Sequence, residues 1–205
     1  MRDDISNKLV HLTKGQNENE TIKGFKDNRI QAITTLKDII SKRKLIGNTG
    51  YIKGKYKCVC FSEAPISKLS HILAEEKVSF RYQPYGLIFN KKWLYEKGGR
   101  PVIYGPTSEY DLLPEDLKYR HVRFELSKEY PVDHTWEREW RIKTDELEFK
   151  EIDVSIIVPT RMAKIAFINK FGHKWHYIVL SDLGIKINTL FKNEDDEEEL
   201  LKKYI

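Results

Sequence analysis

The stretch that decides how this chain reads is His134-Thr135-Trp136-Glu137-Arg138-Glu139-Trp140-Arg141-Ile142. Taken as a strand, with side chains alternating between faces, it sets Thr135, Glu137, Glu139 and Arg141 on one side. Trp136, Arg138, Trp140 and Ile142 fall on the other, which predicts an anchor in a core with both tryptophans fixing the strand. Two carboxylates and a guanidinium cost too much to bury unpaired. They face water, pair with each other, or line a cleft. A half-exposed edge strand with cross-strand ion pairs is the plain reading; a carboxylate site is the sharper one, and it needs partners from elsewhere in the chain.

The 205 residues suit one domain with an appendage, read here as a domain over 1–190 and an acidic tail helix over 191–205. Hydrophobic residues at 40% and aromatics at 12% supply a sizeable core, which argues against global disorder. No run approaches the roughly 18 apolar residues of a membrane span, and Met1-Arg2-Asp3-Asp4-Ile5 lacks the apolar segment of a signal peptide. Cys58 and Cys60 point the same way on an expected strand, which is poor disulfide geometry and suggests a reducing compartment. A soluble, cytoplasmic protein without a membrane partner is therefore expected. The net charge of +5 is uneven: residues 194–205 carry a balance of −4, leaving the rest at +9. A basic body is compatible with a polyanion such as nucleic acid. The tail reads as a solvated terminal helix, with autoinhibition or partner docking as the alternative.

Working outward, residues 8–13 and 56–62 have strand composition, as do 85–89, 101–104, 152–159 and 176–180. Helices are expected over 29–43, capped by Asp27 or Asn28, and over 66–73, 91–96 (capped by Asn90), 161–170 and 194–204. Residues 119–126 fit either strand or helix. Many short strands with few interposed helices argue for an α+β domain with a mixed or antiparallel, split sheet, and no GxGxxG or P-loop is present.

Cys58 and Cys60 with His71 lack the second ligand pair of a zinc site, and His173 and His176 read as solvent-facing. No local signature accompanies a cysteine nucleophile, and Ser62 lacks the G-x-S-x-G elbow. Glu137 and Glu139 with Lys143 keep a metal-dependent nuclease open.

A richer pattern joins Leu9-Val10-His11-Leu12-Thr13, a helix over 32–40 ending near Gly47, Cys60-Phe61-Ser62-Glu63-Ala64-Pro65, and Glu137-Arg138-Glu139-Trp140-Arg141. In that order of parts, over residues 8–180, the chain resembles an ADP-ribosyltransferase, nearest to the DarT type that modifies nucleic acid, and the small proteins grouped with AbiGi-type abortive phage defence. The resemblance implies a split, bent mixed sheet with flanking short helices, gripping NAD as co-substrate without a metal. It implies that His11 and Thr13 hold the ribose and nicotinamide region, that Ser62 closes the pocket, and that Glu139 directs the chemistry with Glu137 beside it. The stacking aromatic is not fixed by spacing: Tyr51, Tyr56, Tyr82 and Tyr85 compete, with Tyr82 and Tyr85 preferred. Arg141, on the glutamate face, is the better candidate to fork a pyrophosphate, while Arg81 and Arg100 compete for the early arginine of the DarT type. The expected function is that of a toxin or phage-defence effector acting on DNA or RNA, with an antitoxin as further partner. Rivals are a protein acceptor, a 2′-phospho-RNA transferase, and a non-catalytic antitoxin or nucleic-acid-binding protein of the same fold.

Overall fold

A computed structural model describes residues 6–14, 25–66, 82–127, 129, 131–185 and 194–205. In chain order the elements are β1 (Lys8–Lys14), α1 (Phe25–Lys42), β2 (Lys44–Ile46), β3 (Cys58–Ser62), β4 (Tyr82–Asn90) and α2 (Lys91–Glu96). Then come β5 (Arg100–Pro101), β6 (Ile103–Gly105), β7 (His121–Arg123), β8 (Glu139–Lys143), β9 (Glu146–Glu148) and β10 (Val154–Val158). The series ends with α3 (Arg161–Phe171), β11 (His176–Val179) and α4 (Glu194–Tyr204). The architecture is α+β with both parallel and antiparallel strand pairs. The helix expected over 66–73 lies outside the described residues apart from Ile66, and so does Arg81. Among the described residues no helix is long and apolar enough to cross a membrane.

The described residues form two compact units, each assembled from three stretches: up to Val10, 44–64 and 89–148 in the first, and 11–43, 65–88 and 149–205 in the second. In the first unit β3 runs antiparallel to β8 over its whole length, Cys58 facing Lys143 and Ser62 facing Glu139. The start of β1 meets β3 at Val10 and Ser62, and β5 adds to β8 from Arg100 opposite Arg141. Val59, Phe61, Trp140 and Ile142 fall on one face and are buried, and Cys58 and Arg141 on the other face are buried too, while Lys143 reaches solvent. Phe61 meets Phe89 edge to face at 5.5 Å, and Trp93 of α2 stacks on Phe89 at 5.4 Å.

The second unit pairs β10 with β11 in parallel, from Ser155 opposite His176 to Val158 opposite Val179, with α3 between them in the chain. Such a pairing needs a crossover, which explains the 11-residue helix between these two strands. Gly86 of β4 approaches β1 so closely that a Cβ there would lie 2.3 Å from the His11 carbonyl oxygen, so only glycine fits. On α1, Ala32, Ile33, Leu36 and Ile40 follow the helical period and are all buried. The helix ends at Lys42, after which Arg43 takes a left-handed φ of 52°.

Two expectations need correction. Residues 134–142 are not one strand: Thr135–Glu137 form a 3₁₀ turn, Arg138 is left-handed at φ 44°, and the strand starts only at Glu139. Period two therefore fails before Glu139, and Trp136, 43% exposed, is no anchor. Nor is α4 merely solvated. Leu200, Leu201 and Glu197 are buried, and Lys37 of α1 donates to the Tyr204 carbonyl at 2.8 Å.

Candidate functional site

The turn before β8 is built by short-range hydrogen bonds. Asp133 Oδ1 accepts from the Thr135 amide at 2.8 Å and from its hydroxyl at 2.6 Å. This local bonding offers the backbone an alternative to a strand ladder. The Glu137 and Arg138 amides then close onto the His134 and Thr135 carbonyls, each at 3.1 Å. The end of β3 clamps the turn, with Ser62 Oγ donating to the Glu137 carbonyl at 2.6 Å and the Glu63 amide to that of Arg138 at 3.1 Å.

Past the turn, Glu139 and Arg141 sit two apart on β8 and share a face. Arg141 Nε donates to Oε1 of Glu139 at 2.9 Å and an Nη to Oε2 at 3.1 Å, a bidentate fork. The other Nη donates to the carbonyls of Tyr119 at 2.8 Å and His121 at 3.1 Å. Burial works against the Arg141 charge, but the Glu139 hydrogen bonds and charge outweigh it and hold its pKa above the ordinary value. The side chain expected to fork a pyrophosphate thus has its guanidinium engaged with Glu139 and the backbone. Tyr104 was not anticipated by sequence: its hydroxyl accepts from the Glu139 amide at 3.1 Å and donates to the His134 carbonyl at 3.3 Å. Burial is the main cause of its raised pKa, with the Glu139 and Glu137 charges adding. No short motif marks it, since its role depends on where β6 falls beside the turn.

Behind this group, Trp140 donates Nε1 to Glu63 Oε2 at 2.7 Å, and Lys91 Nζ bonds Glu63 Oε1 at 2.5 Å. The expected anchor is thus Trp140 alone, tied by its indole to a carboxylate of the adjoining strand end. Cys58 is pushed up to about 11, chiefly by burial and partly against the pull of Arg141, which leaves a protonated thiol at neutral pH.

His11, Thr13, Tyr82 and Tyr85 belong to the second unit. His11 is half-buried. Thr13 is buried, its hydroxyl donating to the Tyr85 carbonyl at 3.0 Å. Tyr85 is 0% exposed, so no face of its ring is open; Tyr82 is half-buried, with Lys14 Nζ 5.8 Å from its ring centroid. Of the rival aromatics, Tyr51 is exposed and Tyr56 donates its hydroxyl to Glu115. Arg100 spends one Nη on the Tyr95 and Gly99 carbonyls. The structure therefore groups Ser62, Glu137, Glu139 and Arg141 in one unit, and His11, Thr13, Tyr82 and Tyr85 in the other. Among the described residues no three or more His, Cys, Asp or Glu side chains gather as a metal-holding group.

In chemical terms the first group is a carboxylate held in one orientation by a bidentate guanidinium. Each oxygen keeps a further lone pair for a ligand hydroxyl. Comparisons with known protein families, curated proteins and solved structures return no match.

Proposed function

We propose that this chain is an NAD-dependent mono-ADP-ribosyltransferase, a toxin or phage-defence effector of the cytoplasm whose acceptor is a nucleic acid. The observation that carries the reading is the Glu139 carboxylate, fixed at both oxygens by Arg141 at the start of β8, beside the Ser62 end of β3. Breaking the bond between nicotinamide and ribose builds positive charge on the anomeric carbon, as in glycoside cleavage. A preorganised carboxylate stabilises such charge without reorganising as it develops. Arg141 holds both oxygens of Glu139 and so aims the carboxylate, which makes it a positioning residue here. The order of motifs from His11 to Arg141 supports the family assignment, and the basic body outside the acidic tail supports the nucleic-acid acceptor. Free Cys58 and Cys60 agree with a reducing compartment.

One observation favours a second reading. A closed Glu139–Arg141 pair is also what a structural ion pair looks like, and in that case the chain is a nucleic-acid-binding protein or antitoxin without catalysis. Incubation with NAD labelled in the adenylate, together with DNA, RNA and protein extract, separates the readings. Label in the nucleic-acid fraction supports the proposal, and label in protein moves the acceptor. Nucleic-acid binding without nicotinamide release supports the second reading.

A further inference from the structure

Away from Glu139, the first unit carries an ordered loop that the proposed chemistry does not use. Asn48 and Cys58 close its base by exchanging backbone hydrogen bonds at 3.0 and 3.1 Å. Between them Ile52 is buried with Cys58 and Tyr119, and Tyr56 and Cys60 pack against that cluster. The Ile52 amide donates to the Thr49 carbonyl at 2.9 Å, and the Lys55 amide to the Ile52 carbonyl at 3.1 Å. At Gly54, with φ 85°, a Cβ would lie 2.5 Å from both the Tyr110 hydroxyl and the Tyr56 ring, so only glycine fits. Lys55 follows in left-handed backbone at φ 59°, a conformation unfavourable for lysine. A loop that holds such backbone in place presents its side chains from fixed positions.

What the loop presents is positive charge and one open ring. Tyr51 is 76% exposed, and Lys53, Lys55 and Lys57 are exposed after it. Lys53 Nζ lies 3.9 Å from the centroid of the Tyr110 ring, and Lys118 Nζ lies 5.5 Å from the same centroid. Lys143 Nζ, from the end of β8, lies 4.8 Å from the Tyr56 centroid. Tyr56 and Tyr110 meet at Gly54, so these ammonium groups converge on one surface. Two acids answer them: Glu115 pairs with Lys118 at 3.2 Å and takes the Tyr56 hydroxyl, while Asp145 pairs with Lys57 at 2.9 Å. Lys53, Lys55 and Lys143 form no ion pair among the described residues, and neither do the exposed Asp111 and Asp116 of the neighbouring segment. Like charges gathered in this way repel one another, and the phosphates of a polyanion relieve that repulsion.

The surface is continuous with the Glu139 group. Lys143 shares a face of β8 with Arg141 and Glu139, four residues and about 13 Å along the strand from the carboxylate. Tyr119 joins the two places, since it packs with Ile52 and its carbonyl accepts from Arg141 at 2.8 Å. We propose that Tyr51, Lys53, Lys55 and Lys143 form a docking surface for a single-stranded nucleic acid, the lysines on its phosphates and the Tyr51 ring stacked on one base. Paired bases inside a duplex offer no free face to that ring, which selects the single strand. The inference rests on the nucleic-acid part of the proposed function and names how the acceptor is held; it does not require NAD.

Fluorescence anisotropy with a mixed-sequence single strand of about 12 nucleotides, without NAD and over a range of chloride concentrations, tests this. In a plot of log affinity against log salt, the Lys53→Gln/Lys55→Gln/Lys143→Gln variant should lose about 2 from the slope, roughly 0.7 for each phosphate contact. Its affinity at about 0.1 M salt should fall about 10-fold or more. Tyr51→Ala should weaken binding about 5-fold with the slope unchanged, because stacking is not ionic. A charge-matched control, Lys92→Gln/Lys170→Gln/Lys202→Gln, should keep the wild-type slope. No binding by wild type, a folded loop variant with wild-type slope and affinity, or equal losses in the control overturns the proposal. So does a duplex of the same sequence, or polyglutamate, bound as tightly as the single strand. Label transfer from NAD, assayed separately, keeps the two readings apart. Transfer to nucleic acid by a protein whose loop variant binds normally overturns the docking surface and leaves the transferase; a loop-dependent complex without nicotinamide release does the reverse. Ribose and deoxyribose versions of the strand identify the source, RNA or DNA, by the tighter complex.

Discussion

Two carboxylates with little exposure, Glu139 in the first unit and Glu197 in the second, are held in opposite ways. Glu139 and Arg141 are two apart on one strand, so the pleat alone brings them to the same face, and register adds the carbonyls of Tyr119 and His121. Glu197 of the last helix instead accepts from the Thr160 hydroxyl at 2.5 Å, 37 residues away in the chain, where α4 packs through Leu200 and Leu201. The first pair is a local device with its hydrogen bonds filled. The second joins distant segments, with the Thr160 hydroxyl as donor. A pair set by the pleat is fixed by local geometry, whereas a contact between distant segments depends on the docking of a helix.

The strongest way to break that contrast is stability. Arg141→Met leaves the mostly buried Glu139 carboxylate and two carbonyls without their donor, and should cost about 3–5 kcal/mol in urea unfolding. Glu197→Gln keeps the shape and one acceptor toward Thr160, and should cost less, about 1–3 kcal/mol. If the order is reversed, the Arg141 fork is not the costlier of the two contacts to break.

The two tryptophans sharpen the comparison at the next scale. Trp140→Phe removes the indole donor to Glu63 and should cost about 1–2 kcal/mol, whereas Trp136→Ala, at an exposed site, should stay within about 0.5 kcal/mol. Equal losses would mean that Trp136 anchors the turn after all.

The smallest expected effect is with pH. The Cys58 thiol is raised from an ordinary 9.0 to about 11, so the folded state favours the neutral form. Its contribution to stability is complete below pH 9 and is lost as pH rises from there through about 11. Unfolding midpoints should fall over that window, and Cys58→Ala should flatten this part of the curve. Unchanged slopes in the variant would contradict the burial argument.

The strand core of β8 was legible, because Trp140, Arg141 and Ile142 alternate as a buried strand must, and the Glu139–Arg141 spacing follows from the same period. The turn before it was not. Left-handed backbone normally announces itself by glycine or asparagine, and here Arg138 adopts it. The available signal was Asp133 two residues before Thr135, a side chain able to bond ahead onto the backbone, and it was outweighed by the pull of the alternating tryptophans. Tyr104 was illegible for another reason: it serves the Glu139 amide across strands that sequence does not pair. The acidic tail misled through composition, since six acids in 194–199 read as solvent-facing while one of them lies buried against Thr160.

The central claim, that Glu139 is a preorganised catalytic carboxylate, is tested most directly by nicotinamide release from NAD in the presence of nucleic acid, comparing wild type with Glu139→Gln. The account predicts measurable release with label retained on the nucleic acid, and a loss of about 100-fold or more in a folded Glu139→Gln variant. Absence of release from wild type with both DNA and RNA, or equal rates for the two proteins, would contradict it.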